Sequence, residues 1–325
     1  MPGLTASATG LNDSDTTNSL SSKQAQGQII DGDENANHLT GGSGNDTISG
    51  FGGDDILIGG DGDDVIDGGS GMNRLYGDDG DDTITTSGTD DVVDAGEGDN
   101  SITITNTAKN GTYTSGSGSD SYLFQSGARG DFSVNSGAGN DSYAFQSGSS
   151  GTFTIDSGNG DNSFEFFSGA SGTFTINSGS GDSTFSIASG VSEAISIHAG
   201  EGSNSITSKG KITHFESGSG DDVVEVNGVS DYVITGGGDD LITATGLVGR
   251  NGYQSYFGIQ AGDGNDTISL TGGSFASTYS NEWDRHRHTS RVQGDNGNDT
   301  ITLGSYQNYG DVYGGNDDDT IDASE

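Results

Sequence analysis

The sequence predicts an all-β chain whose short strands stack in parallel as a β-roll or β-solenoid of about fourteen coils. Three observations predict it. A nine-residue period runs unbroken from Gly41 to Thr85, one apolar residue recurs at a fixed place in each period, and the composition excludes an ordinary globular core.

Composition comes first. The 325 residues include 60 glycines and one proline, carry a formal charge of -39, and are 28% hydrophobic. That is too little apolar material for one conventional core to offset the conformational entropy lost on folding. Without order, these letters would describe a disordered acidic polymer; with order, they describe a fold in which cations neutralise carboxylates. Periodicity decides for the second. There is no cysteine, hence no disulfide framework and no thiolate metal site. The amino terminus, MPGLTASATGLNDSDTTNSL, lacks a basic segment followed by an apolar run. No stretch approaches the roughly 20 apolar residues that cross a bilayer, so neither a cleavable secretion signal nor a membrane span is expected. A polyanion repels phosphate, so nucleic acid is not an expected partner.

Residues 1–31 are polar and aperiodic and are expected to be a flexible tail or cap. Residues 32–94 form a block of nonapeptides: GGSGNDTIS at 41–49, GFGGDDILI at 50–58, GGDGDDVID at 59–67, GGSGMNRLY at 68–76 and GDDGDDTIT at 77–85, flanked by degenerate copies at 32–40 and 86–94. Glycine takes the first and fourth places, Asp or Asn the sixth, and Ile or Leu the eighth. The glycines are expected to supply left-handed turn angles, and the last triplet alternates at the strand period, sending its large residue inward. Two units close a coil of 18 residues. A lone unit could not bury its own apolar face, so stability must come from stacking.

The sixth-place residues are harder to explain by folding alone. Asp46, Asp64 and Asp82 fall 18 apart, so they form a column with a spacing of about 5 Å, a costly repulsion unless something sits between them. Carboxylates together with turn carbonyls make the all-oxygen shell that calcium prefers. The candidate ligands are Asp46, Asp55, Asp64, Asn73, Asp82, Asp91, Asn100, Asp120, Asp141, Asp222, Asp240, Asp266, Asp299 and Asp319, holding several Ca2+ ions.

In these residues the chain resembles the RTX, or haemolysin-type, calcium-binding nonapeptide family. The resemblance implies a right-handed parallel β-roll, calcium held between turns by sixth-place aspartates and loop carbonyls, and type I export from a bacterium to the extracellular space or cell surface.

Residues 95–216 keep the phase but lengthen the coil to 21 residues. Aligning the coils gives four columns: Tyr122, Tyr143, Phe164, Phe185; Phe124, Phe145, Phe166, Ile187; Phe132, Phe153, Phe174, Ile195; and Val134, Ile155, Ile176, Ile197. Their alternation puts them on the inward strand face, as core rather than as a sugar-stacking platform. Over the same stretch the sixth-place column runs Asp120, Asp141, Asn162, Ser183, Asn204, so calcium is expected to be weak or absent between about 160 and 205.

Residues 217–325 return to the motif, with coil starts at 217, 235, 261, 294 and 314 and two insertions, 244–260 and 270–293. The second insertion holds Trp283, Arg285, Arg287 and Arg291, a basic aromatic loop suited to an acidic flank of another subunit or to an anionic glycan at a cell surface. His286-x-His288 offers two transition-metal ligands without a third. No Ser, His and acid arrangement stands outside the repeat, so no enzyme activity is expected. The last repeat is expected to leave an open strand edge able to take a second copy head to tail. The expected role is an extracellular calcium-binding subunit of a matrix fibre, surface layer or adhesin; the alternative is the repeat module of a type I-exported enzyme or toxin.

Overall fold

The computed structural model describes residues 26–191, 194–210, 212–227, 229–245, 258–271, 291–304 and 311–323, together with the backbone of 5–7. Every regular element is a strand, and every strand pairing is parallel. The chain divides into two units, Met1–Asn159 with Gly169–Gly172, and Gly160–Ser168 with Thr173–Glu325.

In the first unit, one row of strands contains Thr47–Ser49, Val65–Asp67, Thr83–Thr86, Ser101–Ile104, Ser121–Phe124 and Ser142–Phe145, each hydrogen-bonded to the next. The chain passes between them through a second row that runs from His38–Ser43 to Ser150–Asp156. This alternation of rows is a β-solenoid: from Ile29–Asp31 onward each strand pairs with the strand one coil on rather than with its neighbour in sequence, and before it Thr5–Ser7 pairs with Ile29–Asp31. In the second unit the two rows run from Ser163–Phe166 to Thr320–Asp322 and from Ile195–Gly200 to Asp311–Asn316. Among the described residues the strands of the second row number fourteen, in line with the expected coil count.

The register reproduces the coil lengths read from the sequence. Equivalent sixth-place residues bond 18 residues apart at Asp46 and Asp64, 20 apart at Asn100 and Asp120, and 21 apart at Asp120 and Asp141. Beyond residue 235 the two insertions stretch the spacing to 26 (Asp240 to Asp266) and 33 (Asp266 to Asp299). Insertions leave the solenoid undisturbed because each begins and ends beside the same strand positions.

The eighth-place residues form the core. Ile48, Ile66, Ile84 and Ile102 are fully buried on one side of the first unit, facing Leu57, Leu75 and Val93 on the other. In the wider coils the aromatic columns replace them, and all are buried. Tyr122 stacks on Tyr143 with ring centroids 5.2 Å apart and Phe124 on Phe145 at 4.9 Å, while Phe124 and Phe132 meet edge to face at 5.4 Å. In the second unit, Phe164 stacks on Phe185 at 4.8 Å and Phe166 meets Phe174 at 90°. One-coil translation gives the stacked pairs, and the approach of the two rows gives the edge-to-face pairs. Both are favoured aromatic geometries.

The two glycine places differ in their reason. At the fourth place the backbone is left-handed, as at Gly62 with φ 124°, where a side chain would be strained. First-place glycines such as Gly59 are not in that region. They are required for a different reason: a Cβ on Gly59 would stand 2.1 Å from Oδ2 of Asp64. The first place is thus a cradle for the sixth-place carboxylate.

Candidate metal centres

Each sixth-place side chain uses its two end atoms differently. Oδ1 accepts the backbone N–H of the sixth residue one coil earlier: Asp46 N to Asp64 Oδ1 at 2.6 Å, Asp64 N to Asp82 Oδ1 at 2.8 Å, and Asp82 N to Asn100 Oδ1 at 3.0 Å. In the second unit the same ladder joins Asn204, Asp222, Asp240, Asp266, Asp299 and Asp319. A second column through the opposite turn joins Asn37, Asp55, Asn73 and Asp91. The ladder accounts for one oxygen of every candidate ligand. It also explains why these groups, apart from the half-buried Asp319, are almost wholly buried, since each bridges two coils from inside the turn.

The other atom divides the candidates. In Asp46, Asp55, Asp64, Asp82, Asp222, Asp240, Asp266 and Asp299, Oδ2 is buried and has no hydrogen-bond partner. An unsatisfied buried acceptor is costly, and a charged one more so. Burial accordingly pushes these carboxyls up, to about 6 for Asp55, Asp64 and Asp222 and to about 7 for Asp82 and Asp266. Asp46, Asp240 and Asp299 move in the same direction for the same cause.

Asparagine shows what the missing partner must supply. The ladder fixes the orientation of Asn100, so that Nδ2 faces the turn and donates to the carbonyls of Gly96 and Gly98 at 3.3 and 3.1 Å. Asn204 does the same with Gly200 and Gly202 at 3.3 and 3.0 Å, and Asn73 reaches Gly69 O at 3.4 Å. The carbonyls of the second and fourth places therefore converge on the second end atom of the sixth. Where that atom is nitrogen, its hydrogens satisfy them; where it is a carboxylate oxygen, it has no hydrogen to offer and, in the eight aspartates above, is itself buried without a hydrogen-bond partner. A hard divalent cation fits this all-oxygen donor set. Asn73 and Asn100, expected as ligands on the motif alone, fill that position with their own amides.

Three further candidates are also satisfied by the chain. Asp91 Oδ2 accepts the N–H of Gly88 at 3.1 Å. In the coils starting at 115 and 136, serine replaces the first-place glycine, and its hydroxyl donates to the carboxylate: Ser115 Oγ to Asp120 Oδ2 at 2.6 Å, and Ser136 Oγ to Asp141 Oδ2. Each serine is in turn bonded to an eighth-place phenol, Tyr122 at 2.7 Å and Tyr143. Burial raises both phenols well above their ordinary range, so they remain protonated donors. The result is a tyrosine–serine–aspartate relay inside the coil. Ser217 and Thr235, also at first places, lie beside Asp222 and Asp240 and lower their pKa somewhat, yet their hydroxyls donate to Thr235 O at 3.2 Å and Ala261 O at 3.0 Å. Those two aspartates have no tyrosine beside them, and their Oδ2 atoms remain without a donor.

Two features escaped the sequence reading. Fifth-place residues form an exposed ladder of opposite sense, with Asp81 N donating to Asp63 Oδ1 at 3.1 Å and Asp99 N to Asp81 Oδ1 at 2.8 Å. The recurrence of Asp or Asn at that place was the available signal. The other is a cluster of His198, His214 and Glu216. In the basic insertion, Trp283, Arg285 and Arg287 lie outside the described residues. Arg291 opens the strand Arg291–Asn296 with its guanidinium 5.6 Å from the ring centroid of Tyr313.

Comparison with known proteins agrees with this geometry. The family model of the RTX calcium-binding nonapeptide repeat, in four copies, matches residues 31–66, 67–102, 216–246, 259–274 and 290–305. The matched stretches contain all eight aspartates with an unpartnered Oδ2, and they flank the segment where the tyrosine–serine–aspartate relay occurs. No curated protein is significantly similar to the chain. The chain thus carries RTX calcium-binding nonapeptide repeats on both sides of the aromatic coils.

Proposed function

We propose that this protein is an extracellular structural component, a subunit of a matrix fibre, surface layer or adhesin, which folds and self-associates when it binds calcium. The observation that carries the reading is the set of eight buried carboxylate oxygens without a hydrogen-bond partner. A chain containing them is poorly stable wherever calcium is scarce and gains stability by mass action where calcium is plentiful, as outside a cell. The residues that would hold the ion are Asp46, Asp55, Asp64 and Asp82 in the first unit and Asp222, Asp240, Asp266 and Asp299 in the second, with turn carbonyls completing the shell. Bound there, calcium would meet the turn oxygens that the asparagine amides meet with hydrogen-bond donors at Asn73, Asn100 and Asn204.

A structural rather than enzymatic role is supported by how the buried ionisable groups are used. The buried aspartates belong to the coil-to-coil ladder, and Tyr113, Tyr122 and Tyr143 pack in the core. Self-association is supported by the parallel strand rows, because a strand edge is a ready template for a strand of a further copy. Circular dichroism and light scattering through a calcium titration, with chelator reversal, test both halves. β signal and particle size should rise together with calcium. A fold indifferent to chelator sinks the calcium reading, and a calcium-saturated monomer at high concentration sinks the assembly reading.

A further inference from the structure

We propose that His198, His214 and Glu216 form a second kind of metal site, for a borderline divalent transition cation of the zinc or copper class, distinct from the turn carboxylates in position and chemistry. His198 lies on the strand Ile195–Gly200, and His214 and Glu216 lie on its neighbour Ile212–Ser217. The register sets His198 directly opposite Glu216 and Ser196 opposite His214. Because His214 and Glu216 are two apart, they share one strand face, and His198 joins them from the adjacent strand. All three point away from the core, whose residues here are Ile197 and Phe215. Pairing slips beside the cluster on both sides, between His198 and Gly200 and between Ile212 and His214. Such irregularities re-aim side chains.

The distances suit a metal. Nε2 of His198 and Nε2 of His214 lie 3.7 and 3.4 Å from the same carboxylate atom, Glu216 Oε2. Tetrahedral zinc with bonds of about 2.1 Å separates its ligand atoms by about 3.4 Å. The ligand atoms of all three residues lie within 4.8 Å of one another, and no other such group of three occurs among the described residues. The two rings are 5.4 Å apart, and the edge of His214 rests against Tyr232 at 6.0 Å, which limits its rotation from the far side. His198 Nδ1 has no hydrogen-bond partner, so no hydrogen bond at that atom has to break for the ring to turn toward a shared ion.

Donor chemistry keeps the two kinds of site apart. Imidazole nitrogen suits zinc and copper, whereas calcium takes oxygen donors. Excess calcium should therefore fill the turns without competing here. The fourth position faces solvent, since His198 and Glu216 are about half exposed. It is free for water or for a donor from another molecule.

The test is isothermal titration of zinc into the full chain already saturated with calcium. One saturable zinc site is expected. It should vanish in a His198→Gln, His214→Gln double variant, weaken in Glu216→Gln, and persist in a His286→Gln, His288→Gln variant. Copper added to the wild type should show two nitrogen ligands by electron paramagnetic resonance. Unchanged zinc binding in the first double variant, or no saturable binding by the calcium-loaded wild type, overturns the proposal. His198, His214 and Glu216 lie on the outward strand face, so their variants should keep the wild-type calcium-dependent circular dichroism. Failure of the calcium reading would appear there and not in the zinc isotherm.

Discussion

The coils at 41–85 and those at 115–156 place the same residue, aspartate, at the same buried place of the same ladder, and satisfy it in different ways. In the first set, glycine leaves the inner carboxylate oxygen without a protein partner. In the second, serine donates to that oxygen and a tyrosine donates to the serine. Beyond them the sixth place is Asn162, Ser183 and Asn204, and the phenols give way to Phe164 and Phe185. Asn162 donates to Gly160 O at 3.1 Å, and Ser183 pairs with Ser178 at 2.6 Å. Within these wide coils, tyrosine stands where the sixth place is charged and phenylalanine where it is neutral. The difference teaches that a buried sixth-place aspartate can find its second donor within the chain, and that in these coils a first-place serine backed by an eighth-place phenol supplies it.

The largest test of that contrast is removal of calcium. At neutral pH with chelator, hydrogen exchange followed by mass spectrometry should show loss of protection over 41–85 and 217–303 and retained protection over 115–208. The aromatic coils bury large stacked rings that hold without the ion. Uniform protection, or uniform loss, removes the distinction.

A pH series sharpens it further. Burial raises Asp82 and Asp266 to about 7 and Asp64 to about 6, from 3.8. A folded-state pKa above the unfolded one means that the folded form binds protons more tightly. Its contribution is fully present below the unfolded value and is lost as pH rises through about 6 to 7. Without calcium, the thermal midpoint should therefore be higher near pH 5 than near pH 8. With calcium the slope should reverse, because protons compete with the ion for the same oxygens. Asp141, also near 6 because of burial despite its serine donor, should contribute the same apo trend weakly to the relay coils.

How much of this the sequence disclosed depends on whether the information is periodic. The coil starts, the four aromatic columns and the column of Asp46, Asp64 and Asp82 follow from spacing alone, because parallel stacking converts a sequence offset into a contact; the burial of those aspartates does not. The closure of a turn by an amide, as at Asn100, requires knowing which end atom faces the carbonyls, and spacing does not fix that. Ser115 and Ser136 were legible as departures from glycine, but their meaning depends on Tyr122 and Tyr143 reaching across the turn. His198 and Glu216 are 18 residues apart, one coil, and that offset was readable. A single offset between unlike residues has no recurrence to mark it, so only the paired strands reveal it as a contact.

Replacing the relay serine gives a smaller, local effect. Ser136→Ala should leave both Asp141 Oδ2 and the Tyr143 hydroxyl without their shared partner, at a cost of about 1–3 kcal/mol read as a lower denaturation midpoint with calcium absent. Ser136→Gly restores the first-place glycine of the motif, so its loss should be partly recovered by added calcium, whereas that of Ser136→Ala should not.

The smallest effect reverses the direction. Asp64→Asn places an amide where Asn100 already has one, with Oδ1 still free to accept the N–H of Asp46 and Nδ2 facing the Gly60 and Gly62 carbonyls by equivalence with Gly96 and Gly98. It removes a buried charge and supplies the missing donor in one step. The calcium-free protein should gain about 1 kcal/mol, the magnitude of one hydrogen bond made in place of an unsatisfied acceptor. The calcium-loaded protein should lose stability, having lost a ligand. If the variant is destabilised in both conditions, the asparagine coils do not owe their closure to the amide, and the contrast between the two kinds of coil fails at its simplest point.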